Sequence, residues 1–204
     1  MIEQKLREFK RDRCGSENII LHTADITRNR SGFEFMKATS ERLRFYAEMN
    51  RLMTDLPYQV MAVAVKKDQH RARYGEAAAD PYHLAMEFLV ERFVLFLSGR
   101  PGRIVAESRN PVLDGRLRVV YEEMCVFGTR YAGSDAIRRA LPHPLQILPK
   151  GNNIAGLQLA DLVITPIGRH VMGKADKEDW RIIERRLRRG PDGGYMGYGL
   201  KVFP

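Results

Sequence analysis

The segment Gly156-Leu157-Gln158-Leu159-Ala160-Asp161-Leu162-Val163-Ile164 constrains this chain more than any other, because it sets one carboxylate in a stretch that otherwise reads as a buried helix. At helical period Gln158, Asp161, Thr165 and Gly168 fall on one narrow stripe, while Leu157, Leu159, Leu162, Val163 and Ile167 cover most of the remaining surface. The spacing predicts a helix enclosed nearly all round, with its acid aimed at a specific partner. An ionised carboxylate in low dielectric is costly unless it is paired, hydrogen-bonded or bound to a metal. Two readings stay open: an Asp held by a backbone amide or an arginine, and an Asp that serves a site.

The flanking sequence alternates between helical and extended patterns. Ile2, Leu6 and Phe9 share a face opposite Lys5, Arg7, Glu8 and Lys10, so the chain opens in an amphipathic helix. Asn18 to His22 reads as a short strand, about Phe33 to Leu56 as a long helix closed by Pro57, and Gln59 to Val65 as a buried strand. Asp80-Pro81 is an N-cap followed by proline at the first helical position, and Gly99, Pro101 and Gly102 end the helix it starts. Arg103 to Arg109 then forms a strand that delivers Glu107 at its end, and a helix follows from about Leu113 to Val126.

After a poorly patterned segment come a strand at Leu145 to Leu148 and the helix bearing Asp161, which Pro166 should kink or stop. A basic helix, Asp179 to Arg189, carries Trp180, Ile183 and Leu187 on one face, and a glycine-rich tail turns into a final strand. Alternating strands and helices predict the α/β class, as a single domain over 1–204.

Charge narrows the partners. Lys and Arg outnumber Asp and Glu by 34 to 25, a net charge of +9, so the surface should attract polyanions, with nucleic acid the first candidate and a merely solvated basic face the plainer alternative. Arg181, Arg185, Arg186 and Arg189 on the last helix are the candidate phosphate contacts. Cys14 and Cys125 stand far apart and outside any Cys/His cluster, which argues against a zinc site or a disulfide framework and for a reduced, cytoplasmic setting. The N-terminal residues mix charged and apolar side chains, unlike a signal peptide, and no run approaches the roughly 18 apolar residues of a membrane span. A nucleophile elbow and a phosphate-binding Walker loop are both missing.

Four residues stand out as carriers of chemistry: His22 and Asp25 after an apolar strand, Glu107 at the end of another, and Asp161 facing inward from a late helix. Strand ends are where sites assemble in α/β sheets. Carboxylates that converge repel one another and stay ionised together only if a hard cation such as Mg²⁺ or Mn²⁺ offsets the charge, and two such ions would activate a water against a phosphodiester. Each residue also has a structural reading: Glu107 pairs with Arg103 or Arg109, His22 is a hydrogen-bonded strand-end histidine, and Asp25 caps the turn that follows it.

Several of these segments together resemble the domain of unknown function 3800 family, whose members are placed among ribonuclease-H-like folds. The resemblance rests on Ile20-Leu21-His22-Thr23-Ala24-Asp25-Ile26, on Tyr82-His83-Leu84 through Glu91-Arg92, and on Ile104-Val105-Ala106-Glu107-Ser108-Arg109. It continues in Asn153 through Val163, in Pro166-Ile167-Gly168-Arg169-His170 and in Gly197 through Pro204, with Leu157-Gln158-Leu159-Ala160-Asp161 its most specific part. It implies a mixed sheet flanked by helices and metal-dependent phosphodiester cleavage, with Glu107, Asp161 and Asp25 as ligands of Mg²⁺ or Mn²⁺ and His22 assisting.

The family's opening strand, with its Asp-Glu-Ser-Gly motif and principal Asp, has no counterpart here. The expectation is therefore an incomplete ribonuclease-H-like domain of weak or absent activity, or one whose first strand comes from a second copy or a strand-supplying partner. A non-catalytic module that binds nucleic acid or protein and a hydrolase of small phosphoesters are the rival expectations.

Overall fold

The computed structural model describes residues 1–204. In chain order the elements are α1 (Ile2–Cys14), α2 (Thr23–Thr27), α3 (Thr39–Asp55), β1 (Ala62–Val65), α4 (Lys67–Tyr74), α5 (Pro81–Leu97), β2 (Val105–Glu107), α6 (Pro111–Phe127), α7 (Ser134–Ala140), β3 (Gln146–Leu148), α8 (Ala155–Val171), α9 (Glu178–Arg186) and β4 (Leu200–Phe203). The class is mixed α/β, 59% helical with a few short parallel strands. Contacts divide the chain into two compact units, Met1–Gln59 with Lys150–Arg186, and Val60–Pro149 with Leu187–Pro204.

The first unit is helical. Leu6 and Phe9 of α1, Phe45 and Met49 of α3, Leu159 and Ile167 of α8, and Trp180 and Ile183 of α9 are all buried. Phe45 is the aromatic hub, with the rings of Phe9 and Phe33 at 5.5 and 5.8 Å. Such tilted and edge-on pairs add to the burial of the rings themselves. The long helix expected from Phe33 begins instead as a short 3₁₀ turn, Glu34–Lys37, before α3 starts at Thr39.

Other expectations for this unit are not met. Asn18 lies in a turn and Ile19 to His22 pair with no strand; the Leu21 amide donates to Oε1 of Gln158 at 2.9 Å, so a side chain of α8 takes the place of a ladder. Helix α8 is not enclosed all round, since Gly156, Ala160 and Ile164 form an exposed face. Pro166 lies inside α8, which runs on to Val171. A proline costs a helix one amide bond and crowds the preceding turn, but packing can hold the helix together across it, and Pro166 is buried.

The second unit contains all four strands. β1 pairs in parallel with β4 from Ala62↔Leu200 to Val65↔Phe203, and β2 in parallel with β3 from Val105↔Gln146 to Glu107↔Leu148. These pairs are two separate two-stranded sheets. Such pairs are marginal alone and need an apolar cover. Helix α5 packs on β1, and the buried cluster of Val90, Leu97, Leu117, Tyr121, Met124, Ile137 and Leu145 joins α5, α6, α7 and the start of β3.

Asp80 caps α5 as the Asp-Pro pair predicts, its Oδ1 accepting the amides of Tyr82 and His83 at 2.8 and 3.1 Å. Helix α4, which has no apolar stripe, is anchored through His70 and Tyr74: both rings lie against Phe203 of β4, at 5.6 and 5.9 Å. The glycine before β4 is obligatory, because a Cβ on Gly199 would stand 2.5 Å from the carbonyl oxygen of Arg188.

Candidate functional site

Helix α8 turns its polar stripe toward residues 18–25. Gln158 is buried, accepts from the Leu21 amide, and donates through Nε2 to the carbonyl oxygen and to Oδ1 of Asn153 at 3.1 and 2.9 Å. The same Asn153 Oδ1 accepts from Lys10 Nζ at 2.8 Å, and Asn153 Nδ2 donates to the carbonyl of Glu17 at 3.1 Å. Lys10 is only 1% exposed, and burial pulls its ammonium below the usual lysine range. These bonds tie α1, residues 17–21 and α8 together, and each of these side chains has a protein partner.

One turn further on, Thr23 donates its amide to Asp161 Oδ2 at 2.6 Å and its hydroxyl to the Asp161 carbonyl at 3.1 Å. Thr23 is the first residue of α2, so its amide is one of those a helix start leaves without an intrahelical partner. The acid in the apolar helix therefore serves as a cap supplied from another element. Thr23 is not among the sequence candidates, and nothing in its local pattern marks it.

Asp25 sits beside this cap. Its Oδ2 is 2.8 Å from His22 Nδ1, and its Oδ1 accepts from Arg30 Nε at 2.5 Å. The bond to His22, helped by Arg30, holds the Asp25 carboxyl below the usual range against the opposing effect of burial. His22, Asp25 and Asp161 thus belong to one neighbourhood of the first unit, whereas Glu107 ends β2 in the second.

A hard divalent ion needs several oxygen donors converging on one point. No group of three or more His, Cys, Asp or Glu side chains is placed to hold one. Both oxygens of Asp25 and one of Asp161 already face donors. With Asp25 and Asp161 engaged by protein donors, these residues as arranged do not fit a two-ion centre. Burial pushes the Cys14 thiol up to about 11 and raises Cys125 as well.

The four candidate arginines separate by environment. Arg186 donates to the Thr54 carbonyl and lies over the Tyr58 ring, and Arg189 donates to the Gly193 carbonyl at 2.8 Å and lies over Tyr195, so both brace the fold. Arg181 and Arg185 are exposed on α9 and, with Arg51 of α3, line a groove between the two helices. Asn50, Asp55 and Glu178 share the groove; Glu178 accepts from Asn50 at 2.9 Å, and Asp55 stands 4.0 Å from Arg51. Arg51 was not a sequence candidate, because one arginine on a charged helix face carries no signal until α9 is packed beside it.

No helix is long and apolar enough to cross a membrane. Comparison with family models, with curated proteins and with solved structures found no match to this chain.

Proposed function

We propose that this protein is a non-catalytic nucleic-acid-binding module related to the ribonuclease-H-like, metal-dependent nucleases, with the family's acids turned to structural use. The observation that carries the reading is the groove of Arg51, Arg181 and Arg185, which offers three guanidinium groups spread over two packed helices. Guanidinium matches phosphate in geometry and stays charged at any working pH. The net charge of +9 adds a general attraction for a polyanion. The structural use of Asp161 as a cap on Thr23 supports the non-catalytic half of the reading.

The test is fluorescence anisotropy with a labelled single-stranded oligonucleotide across a salt series. Two to three phosphate contacts on a single strand give a slope of log K against log salt of about −2, and losing two of them shallows it by about 1.4. Arg181→Ala with Arg185→Ala should produce that change, while Asp161→Asn should leave binding as it is. Binding of equal strength and slope in the double arginine variant would sink the proposal, as would Mg²⁺-dependent cleavage lost in Asp161→Asn.

A further inference from the structure

A second cationic concavity lies wholly within the second unit. An open cleft of about 600 Å³ is lined by Val65, Lys67, Tyr82, His83, Arg109 and Arg116, together with the Asp80 cap. Val65 is the last residue of β1, and Arg109 follows β2 by two residues, so both parallel strands run toward the cleft with their carboxyl ends. Ligands of parallel α/β structures collect at such ends. The volume falls within the usual range for a small-molecule site, about 300 to 1,000 Å³.

The chemistry of the lining selects the ligand. Lys67, Arg109 and Arg116 contribute three fixed positive charges and His83 an imidazole, against one carboxylate, Asp80. That carboxylate is spent on the α5 cap: burial acts to raise it, but the amides of His83 and Tyr82 hold it below the usual range. Arg109 is held at its backbone. Its amide donates to Asp114 Oδ1 at 2.9 Å, Ser108 Oγ donates to Asp114 Oδ2 at 2.6 Å, and its guanidinium lies 5.4 Å from the centre of the Tyr82 ring. A guanidinium laid on an exposed aromatic ring presents a flat cationic surface, on which a base can stack while its other donors face phosphate.

We infer that this cleft is a nucleotide site, in which Lys67, Arg109 and Arg116 take the phosphates and the Tyr82–Arg109 stack takes the base. The inference is independent of the nucleic-acid groove, which lies on other elements of the first unit. A phosphorylated nucleoside reaches such a site either as a free nucleotide or as the phosphorylated end of a strand, and the experiment separates the two.

Isothermal titration of the full chain with ATP, ADP, AMP and adenosine should give saturable binding that strengthens with each phosphate and vanishes for adenosine. Arg109→Ala with Arg116→Ala should weaken ATP binding tenfold or more, the loss expected when charge-assisted contacts are removed. Lys67→Glu should weaken it through charge alone, and because all three side chains are exposed the far-ultraviolet circular dichroism should not change. Competition against ATP by a 5′-phosphorylated oligonucleotide, but not by its 5′-hydroxyl counterpart, assigns the site to a strand end; competition by neither assigns it to free nucleotide. Adenosine binding as tight as ATP, ATP affinity unchanged in the double variant, or no saturation by ATP at millimolar concentration would each overturn the inference. Arg181→Ala with Arg185→Ala leaves ATP binding intact, so failure of one proposal is distinguishable from failure of the other.

Discussion

Replacing Asp161 by Asn and by Ala separates a structural acid from a site acid by the sign and order of the stability change. In the structure Asp161 Oδ2 accepts the Thr23 amide at 2.6 Å in a part-buried setting. Asn keeps an acceptor oxygen there and loses only the charge assistance, a cost of about 1 kcal/mol or less. Ala leaves the amide without its partner. Its desolvation penalty of about 1–3 kcal/mol is softened by the access that water retains, so about 2 kcal/mol is the working figure.

For a chain of this length about 2 kcal/mol lowers Tm by about 4–8 °C. Urea unfolding can be followed through Trp180, the only tryptophan, which is buried on α9 in the same compact unit as Asp161. The expected order is wild type, then Asn, then Ala. Equal losses for Asn and Ala would refute the capping argument. A gain in stability from either would refute it more strongly, since relief of repulsion on removing a carboxylate is the mark of a cluster assembled for a cation.

Three further outcomes follow from the same neighbourhood. Gln158→Leu strands the buried Leu21 amide and removes two bonds to Asn153, and should cost about 2–4 kcal/mol in urea unfolding; a loss under about 0.5 kcal/mol would show that the polar stripe is dispensable. Because His22 and Arg30 depress the carboxyl of Asp25, its contribution is fully present above the ordinary unfolded value of about 3.9 and is lost as pH falls through the lower folded value. The stability gap between wild type and Asp25→Asn should therefore shrink as pH falls below about 4, whereas a gap that widens over that range would contradict the assignment. Titration with Mn²⁺ should give no saturable binding; saturable binding abolished by Asp161→Ala would restore the divalent-ion reading of Glu107, Asp161 and Asp25.

The elements with strong local signals were legible in the sequence, within a few residues at their ends. Asp80-Pro81 marked the start of α5, and the Ile2, Leu6, Phe9 spacing marked α1, because caps and apolar stripes are local properties. Ile104-Val105-Ala106 and Leu145 to Leu148 were recognisable as strands, but which strands pair was not, since parallel partners are joined by long crossovers. Helices α4 and α7 escaped notice. Lys67–Tyr74 is almost wholly polar and is held by two aromatic contacts from β4, and Ser134–Ala140 is too short to show a period.

By itself the sequence determined that the chain is α/β, basic, and in possession of one acid in an apolar helix that had to find a partner. Which partner was a tertiary decision. The physics of burial demands that a carboxylate such as Asp161 be satisfied but is indifferent to whether an amide, an arginine or a cation does it, and only the packing of α8 against residues 18–25 selected the Thr23 amide. The same holds for the cations. Composition fixes their number, while the packing of α3 beside α9 and the common opening of β1 and β2 decided that Arg51, Arg181 and Arg185 share one groove and Lys67, Arg109 and Arg116 another cleft.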